Sequence, residues 1–162
     1  LLIVRIGGHS DVETVIDWTD AIDFAAPKIE ANGTTPLGIG VEHSLKKIEE
    51  QKERYKQNQI PYNRPWLFII TDGSPSDNGW ERCAAKAVEA ETKGKVVIFP
   101  IGTEGADFDR LNQFSSRGAM MLQNLNFKEL FVWLSQSVSA GSQTEVDSTA
   151  QLPAANWGMV PS

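Results

Sequence analysis

Apolar and polar positions divide the chain into short, well-separated segments. The opening run Leu1-Leu2-Ile3-Val4, continuing to Ile6 and closed by Gly7-Gly8, reads as a buried strand. Val12, Thr14, Ile16 and Trp18 fall on one face of a second strand, and the short turn between the two predicts an antiparallel hairpin. Beyond Pro27, the loop Asn32-Gly33-Thr34-Thr35-Pro36-Leu37-Gly38 leads into a long helix. Val41, Leu45, Ile48 and Tyr55 recur there at helical spacing, and Glu42, Lys46, Lys47, Glu49, Glu50, Lys52 and Glu53 form its solvated face. Pro61 and Pro65 bracket a connector into the strand Trp66 to Thr71. A helix over 79–92 follows, stopped by Gly94, and a strand over 95–101 is closed by Gly102. A short helix over 107–115, a strand Met120 to Leu122 and an amphipathic helix over 127–138 complete the pattern. This alternation predicts a doubly wound α/β sheet, mostly parallel with one antiparallel edge strand.

From Ser139 the composition turns to Ser, Ala, Gln, Thr and Pro, so a domain over 1–138 is expected to be followed by a polar tail over 139–162. Leu152, Trp157 and Met159 are apolar enough to dock that tail back on the domain. Because the sequence opens directly in strand-like residues, it is expected to start in the middle of a domain.

At 162 residues, with 41% hydrophobic and 22% charged, the chain has the composition of one globular domain. A net charge of -6 argues against a nucleic-acid backbone as partner, which calls for clustered Lys and Arg. Cys83 is the sole cysteine, so no intrachain disulfide can form, and a reducing, cytoplasmic compartment is expected. No apolar stretch has the length of a membrane span, and no membrane association is expected.

Candidate chemistry concentrates at the strand end Phe68-Ile69-Ile70-Thr71-Asp72-Gly73-Ser74. In α/β proteins ligands sit in the crevice outside the carboxyl ends of the strands. Asp72 offers a hard anionic oxygen there, and Gly73 lets the chain turn away, as an oxygen-ligated divalent cation or a simple turn would both require. The loop Gly33 to Gly38 has phosphate-loop spacing, but Ile39-Gly40 stands where Lys followed by Ser or Thr is needed, so that reading fails. His9-Ser10-Asp11 point in diverging directions, His43 lies in the charged helix, and Cys83 reads as a buried structural thiol; none makes a triad. Ligands for zinc are lacking. What remains is hard oxygen: the hydroxyls of Thr34 and Thr35 before the long helix, one of which could equally cap it, and Asp72 with Ser74, Ser76 and Asp77 in the following loop. Both loops are expected at one edge of the sheet.

The order of Gly33-Thr34-Thr35-Pro36-Leu37-Gly38, a long charged helix, Tyr62-Asn63-Arg64-Pro65-Trp66, Thr71-Asp72-Gly73-Ser74-Pro75-Ser76-Asp77 and Phe127-Lys128-Glu129-Leu130-Phe131-Val132-Trp133-Leu134 resembles von Willebrand factor A domains. Within them it looks closest to the bacterial TerY/YegL-like proteins, the first of which is associated with tellurite and chemical-stress resistance. The resemblance implies a Rossmann-like sheet carrying a metal-ion-dependent adhesion site, and a non-catalytic module that binds a protein partner. Thr35, with Thr34 as the fallback, and Asp72 match two of the three metal segments; Thr34, Ser74, Ser76 and Asp77 fall in the partner-binding loops. No catalytic residue is implied. The third segment, Asp-x-Ser-x-Ser, is absent, together with the first strand and first helix that carry it; the resemblance makes that strand central, between the strands equivalent to Leu1 to Ile6 and Trp66 to Thr71, so two unpaired edges are expected there. Mg²⁺, or Mn²⁺ or Ca²⁺, is therefore expected to bind this chain weakly or not at all without that segment, which another segment or chain would supply. A partner's acidic residue would complete the ion's coordination. The alternatives are a Mg²⁺-dependent hydrolase or phosphoryl-transfer enzyme, and a metal-free assembly domain.

Overall fold

The computed structural model describes residues 1–30, 32–142 and 158–159. Strands β1 (Ile3–Ile6) and β2 (Val12–Ile16) form the expected antiparallel hairpin. Helix α1 (Leu37–Gln57) buries Leu37, Val41, Ser44, Ile48 and Lys52, which recur every three or four residues along one side. Strand β3 (Trp66–Thr71) follows, then α2 (Trp80–Thr92), β4 (Val97–Gly102), the one-turn helix α3 (Phe108–Leu111), β5 (Met120–Leu122) and α4 (Phe127–Ser142). Helix α4 runs four residues past its expected end at Val138, into the segment expected to be tail. A two-residue strand, β6 (Gly158–Met159), pairs antiparallel with β5, so part of that segment does return to the sheet. Of the expected docking residues, Met159 lies in β6 opposite Met121, and Leu152 and Trp157 lie outside the described residues.

The sheet is divided between the hairpin and β3. β3, β4 and β5 are parallel neighbours with β6 at their edge, whereas β1 and β2 form a sheet of their own. Both pieces lie beneath α1, because Ile6 and Trp18 from the hairpin and Leu67 from β3 pack against one core with Leu37, Val41 and Ile48. Their ends also match. Gly7, just past β1, presses on the carbonyl of Thr34, while Gly73, just past β3, presses on the side chain of Thr35. At the other end Trp18 and Pro65 line one cleft of about 270 Å³. β1 and β3 thus run in the same direction on either side of a gap that, among the described residues, no backbone hydrogen bond crosses.

β4 is the hub, with every residue buried as befits a parallel strand covered on both faces. Ile98 faces the core under α1 and α2, while Val97, Phe99 and Ile101 face a second core with Leu130 and Trp133 of α4. Phe99 stacks on Phe68 at 4.7 Å and meets Trp133 edge-on at 6.1 Å. The amides of Val97 and Thr103 donate to the carbonyls of Pro65 and Thr71, so odd-numbered positions point their backbone groups at β3. Pro100 is even-numbered, and its missing N–H faces the side where β5 has not begun, since β5 pairs only with Ile101 and Gly102. Ile98 has the same orientation, and its N–H is taken instead by the carboxylate of Glu91 at 3.0 Å.

Candidate functional site

The carboxyl ends of β1, β3 and β4 and the start of α1 meet at one edge of the molecule. Gly7 has φ 84°, and a Cβ there would stand 2.4 Å from the Thr34 carbonyl oxygen, so only glycine lets the end of β1 lie against the loop before α1. That loop reaches the end of β3 through Thr35. Its carbonyl accepts from the Ser76 amide at 2.9 Å, and its Oγ1 lies 2.8 Å from where a Cβ on Gly73 would sit. The bare backbone at Gly73 is therefore a notch filled by the Thr35 hydroxyl. This brings Thr35 beside Asp72, as expected from the two loops sharing an edge.

Asp72 is exposed, and neither its carboxylate nor the Thr35 hydroxyl has a hydrogen bond or ion pair among the described residues. An uncommitted hydroxyl held against the residue that follows an uncommitted carboxylate fits a divalent cation in donor type. In number they fall short of the roughly six oxygens Mg²⁺ takes. Among the described residues no three His, Cys, Asp or Glu side chains converge as a metal site.

The other loop residues divide. Thr34 and Ser76 are exposed. Ser74 is committed inward: its hydroxyl donates to Asp107 at 2.9 Å and accepts from Arg110 at 3.0 Å. Asp77 turns to α1, taking the amides of Gly38 at 3.2 Å and Ile39 at 3.0 Å. Asp107 and Arg110, both overlooked in the sequence, extend the edge. The Ser74 hydroxyl and the Arg110 amide, helped by the Arg110 charge, hold the Asp107 carboxyl below the usual carboxylate range. The Arg110 guanidinium pairs with Asp107 at 3.2 Å and lies 5.8 Å from the centre of the Trp80 ring. The signal for them was available: they follow β4, and a parallel neighbour of β3 ends at the same edge.

Residues set aside in the sequence also have definite places. His9, Ser10 and Asp11 are exposed in the hairpin turn. His43 is half-buried rather than fully on the surface, with Nε2 2.8 Å from the Thr14 hydroxyl, tying α1 to β2. Cys83 is half-buried rather than buried; burial first, then the charges of Glu42 and Asp77, push its thiol above the ordinary value.

A family model for the von Willebrand factor type A domain matches residues 4–133. The chain belongs to the von Willebrand factor A family. The match spans the hairpin, the candidate edge and the first turns of the last helix, up to Trp133. Neither a curated protein nor a solved structure matches the chain significantly. As a family, von Willebrand A domains mediate protein–protein interactions and commonly carry a divalent metal at an adhesion site. Among the described residues no helix is long and apolar enough to cross a membrane.

Proposed function

We propose that this von Willebrand A domain is a non-catalytic interaction module. It captures a protein partner at the edge formed by Thr35 and Asp72, through a Mg²⁺, Mn²⁺ or Ca²⁺ ion whose coordination the partner's Asp or Glu completes. The observation that carries the reading is the uncommitted Thr35 hydroxyl seated in the notch at Gly73, the residue next to the uncommitted Asp72. A cation there lets a chain of net charge -6 attract an acidic group, and makes ion and partner binding mutually reinforcing. The hydrolase alternative is disfavoured at Ser74, because the carboxylate that accepts from its hydroxyl, Asp107, is held below the usual carboxylate range by Ser74 and Arg110 and is a correspondingly weak base.

The gap between β1 and β3 supports a second element of the proposal. Two strands in the same direction, each with one unpaired side and both under α1, are placed to receive a parallel strand between them. We assign that strand to a further segment or a neighbouring chain, and its loop at the carboxyl edge would add the oxygens that Thr35 and Asp72 lack. The resemblance to TerY/YegL-like proteins supports a role in a bacterial cytoplasmic stress response of the tellurite type.

Mn²⁺ titration by calorimetry tests the ion. Asp72→Ala should remove Mn²⁺ binding and chelator-sensitive capture of a Glu-bearing peptide without moving the melting temperature. Capture that persists unchanged in chelator would sink the reading.

A further inference from the structure

Helix α1 enters without a cap of its own. Pro36 precedes it with no side-chain acceptor, and its first turn contains no acid. The first amides of a helix need acceptors, and a carboxylate placed on them also meets the positive end of the helix dipole. That carboxylate comes from the loop after β3: the two oxygens of Asp77 take the amides of Gly38 and Ile39 at 3.2 and 3.0 Å. The residue before it, Ser76, donates its amide to the Thr35 carbonyl at 2.9 Å. Two consecutive residues therefore grip the segment from Thr35 to Ile39 on either side of Pro36. Gly38 makes this possible, since a Cβ there would stand 2.6 Å from Asp77 Oδ2.

The grip bears directly on the oxygen pair. Thr35 and Asp72 belong to loops 37 residues apart in sequence, and nothing local fixes their separation. A hard cation tolerates displacements of only about 0.5 Å in such a constellation. We propose that Asp77 is a positioning residue: by capping α1 from the neighbouring loop it holds the Thr35 hydroxyl beside Asp72, and its carboxylate is not itself offered to a partner. This rests on the cation reading of the edge for its purpose, but the positioning can be tested apart from it.

The test uses Asp77→Ala and Asp77→Asn in the full chain, with amide hydrogen exchange and Mn²⁺ titration read side by side. Asp77→Ala should speed exchange at Gly38 and Ile39 and also at Ser76, each by about tenfold, the scale of a lost cap. Mn²⁺ affinity should fall by a similar factor. Asn keeps one acceptor oxygen, so Asp77→Asn should restore part of both. Glu91→Gln, far from this edge, should lower the melting temperature yet leave Ser76 exchange and Mn²⁺ affinity alone. If Gly38 and Ile39 respond while Ser76 does not, Asp77 is a helix cap and the inference is overturned. Unchanged Mn²⁺ affinity in Asp77→Ala overturns it equally, with the cation reading left standing. A Ser76 response in a chain that takes no Mn²⁺ even with the missing central strand supplied upholds the positioning and removes the cation reading instead.

Discussion

Glu91 sits on the buried side of α2 with both carboxylate oxygens engaged. Besides the Ile98 amide it accepts from the Ser116 amide at 2.8 Å and from the hydroxyls of Ser115 and Ser116 at 2.9 and 2.7 Å, with Arg117 3.4 Å away. It thus supplies the acceptor that β5 is too short to offer β4, and pins the turn leading into β5. Burial pushes its carboxyl up, but the donors outweigh burial and hold it below the ordinary Glu value of about 4.3. A depressed carboxyl stabilises the fold fully above the unfolded value, and this contribution fades as pH falls through the folded value. Stability should therefore decline from about pH 5 downward, and in Glu91→Gln that part of the decline should vanish from a pH series of urea melts. Glu91→Ala, which strands buried donors, should cost roughly 3–5 kcal/mol in the same melts. In the sequence Glu91 looked like one more polar residue near the end of a helix. Its value depends on a strand and a turn met only in three dimensions.

At the scale of elements, α1 carries two glycines that a helix would ordinarily avoid, and packing explains both. A Cβ on Gly40 would stand 2.2 Å from Ile6 Cγ2, so its absence lets α1 press on β1. A Cβ on Gly38 would meet Trp80 Cα at 2.7 Å, where α2 begins against α1. Alanine favours a helix over glycine by about 1 kcal/mol, but a clash with backbone cannot be relieved by turning a side chain. Gly38→Ala should therefore lower stability by roughly 1–3 kcal/mol in denaturant melts, and an unchanged or raised midpoint would contradict this packing. Periodicity made β3, β4, α1 and α2 legible because their apolar spacing reflects burial directly. The end of α4 was not legible: Ser139, Ala140 and Gly141 read as tail, yet none of them forbids a helix in the way proline does.

Over the whole molecule the division of the sheet decides what is exposed. Leu67, Ile69 and Thr71 turn their backbone groups to β4, so those of Trp66, Phe68 and Ile70 turn to the gap, and Ile70 is 39% exposed. Hydrogen exchange along β3 should accordingly alternate, with Leu67 and Ile69 slow, Phe68 and Ile70 fast. Uniformly slow exchange would show that the gap is already filled, and addition of a central strand should abolish the alternation. Thr35 and Asp72 could be read from the sequence as occupants of one edge because strand direction alone places them there. The gap was legible only through the family resemblance, which makes the absent first strand central; periodicity cannot show it, because pairing is a property of the assembled layers.

Pro100 has a consequence for how those layers find one another. To pair with β3 in a register slipped by one residue, β4 would have to roll half a turn about its own axis. That would aim the proline ring at the ladder and exchange the large aromatic Phe99 with Ile98 between the two cores. The wrong registers thus lose a hydrogen bond and fit two cavities badly at once. A residue usually treated as a breaker serves here as a proofreader of strand alignment.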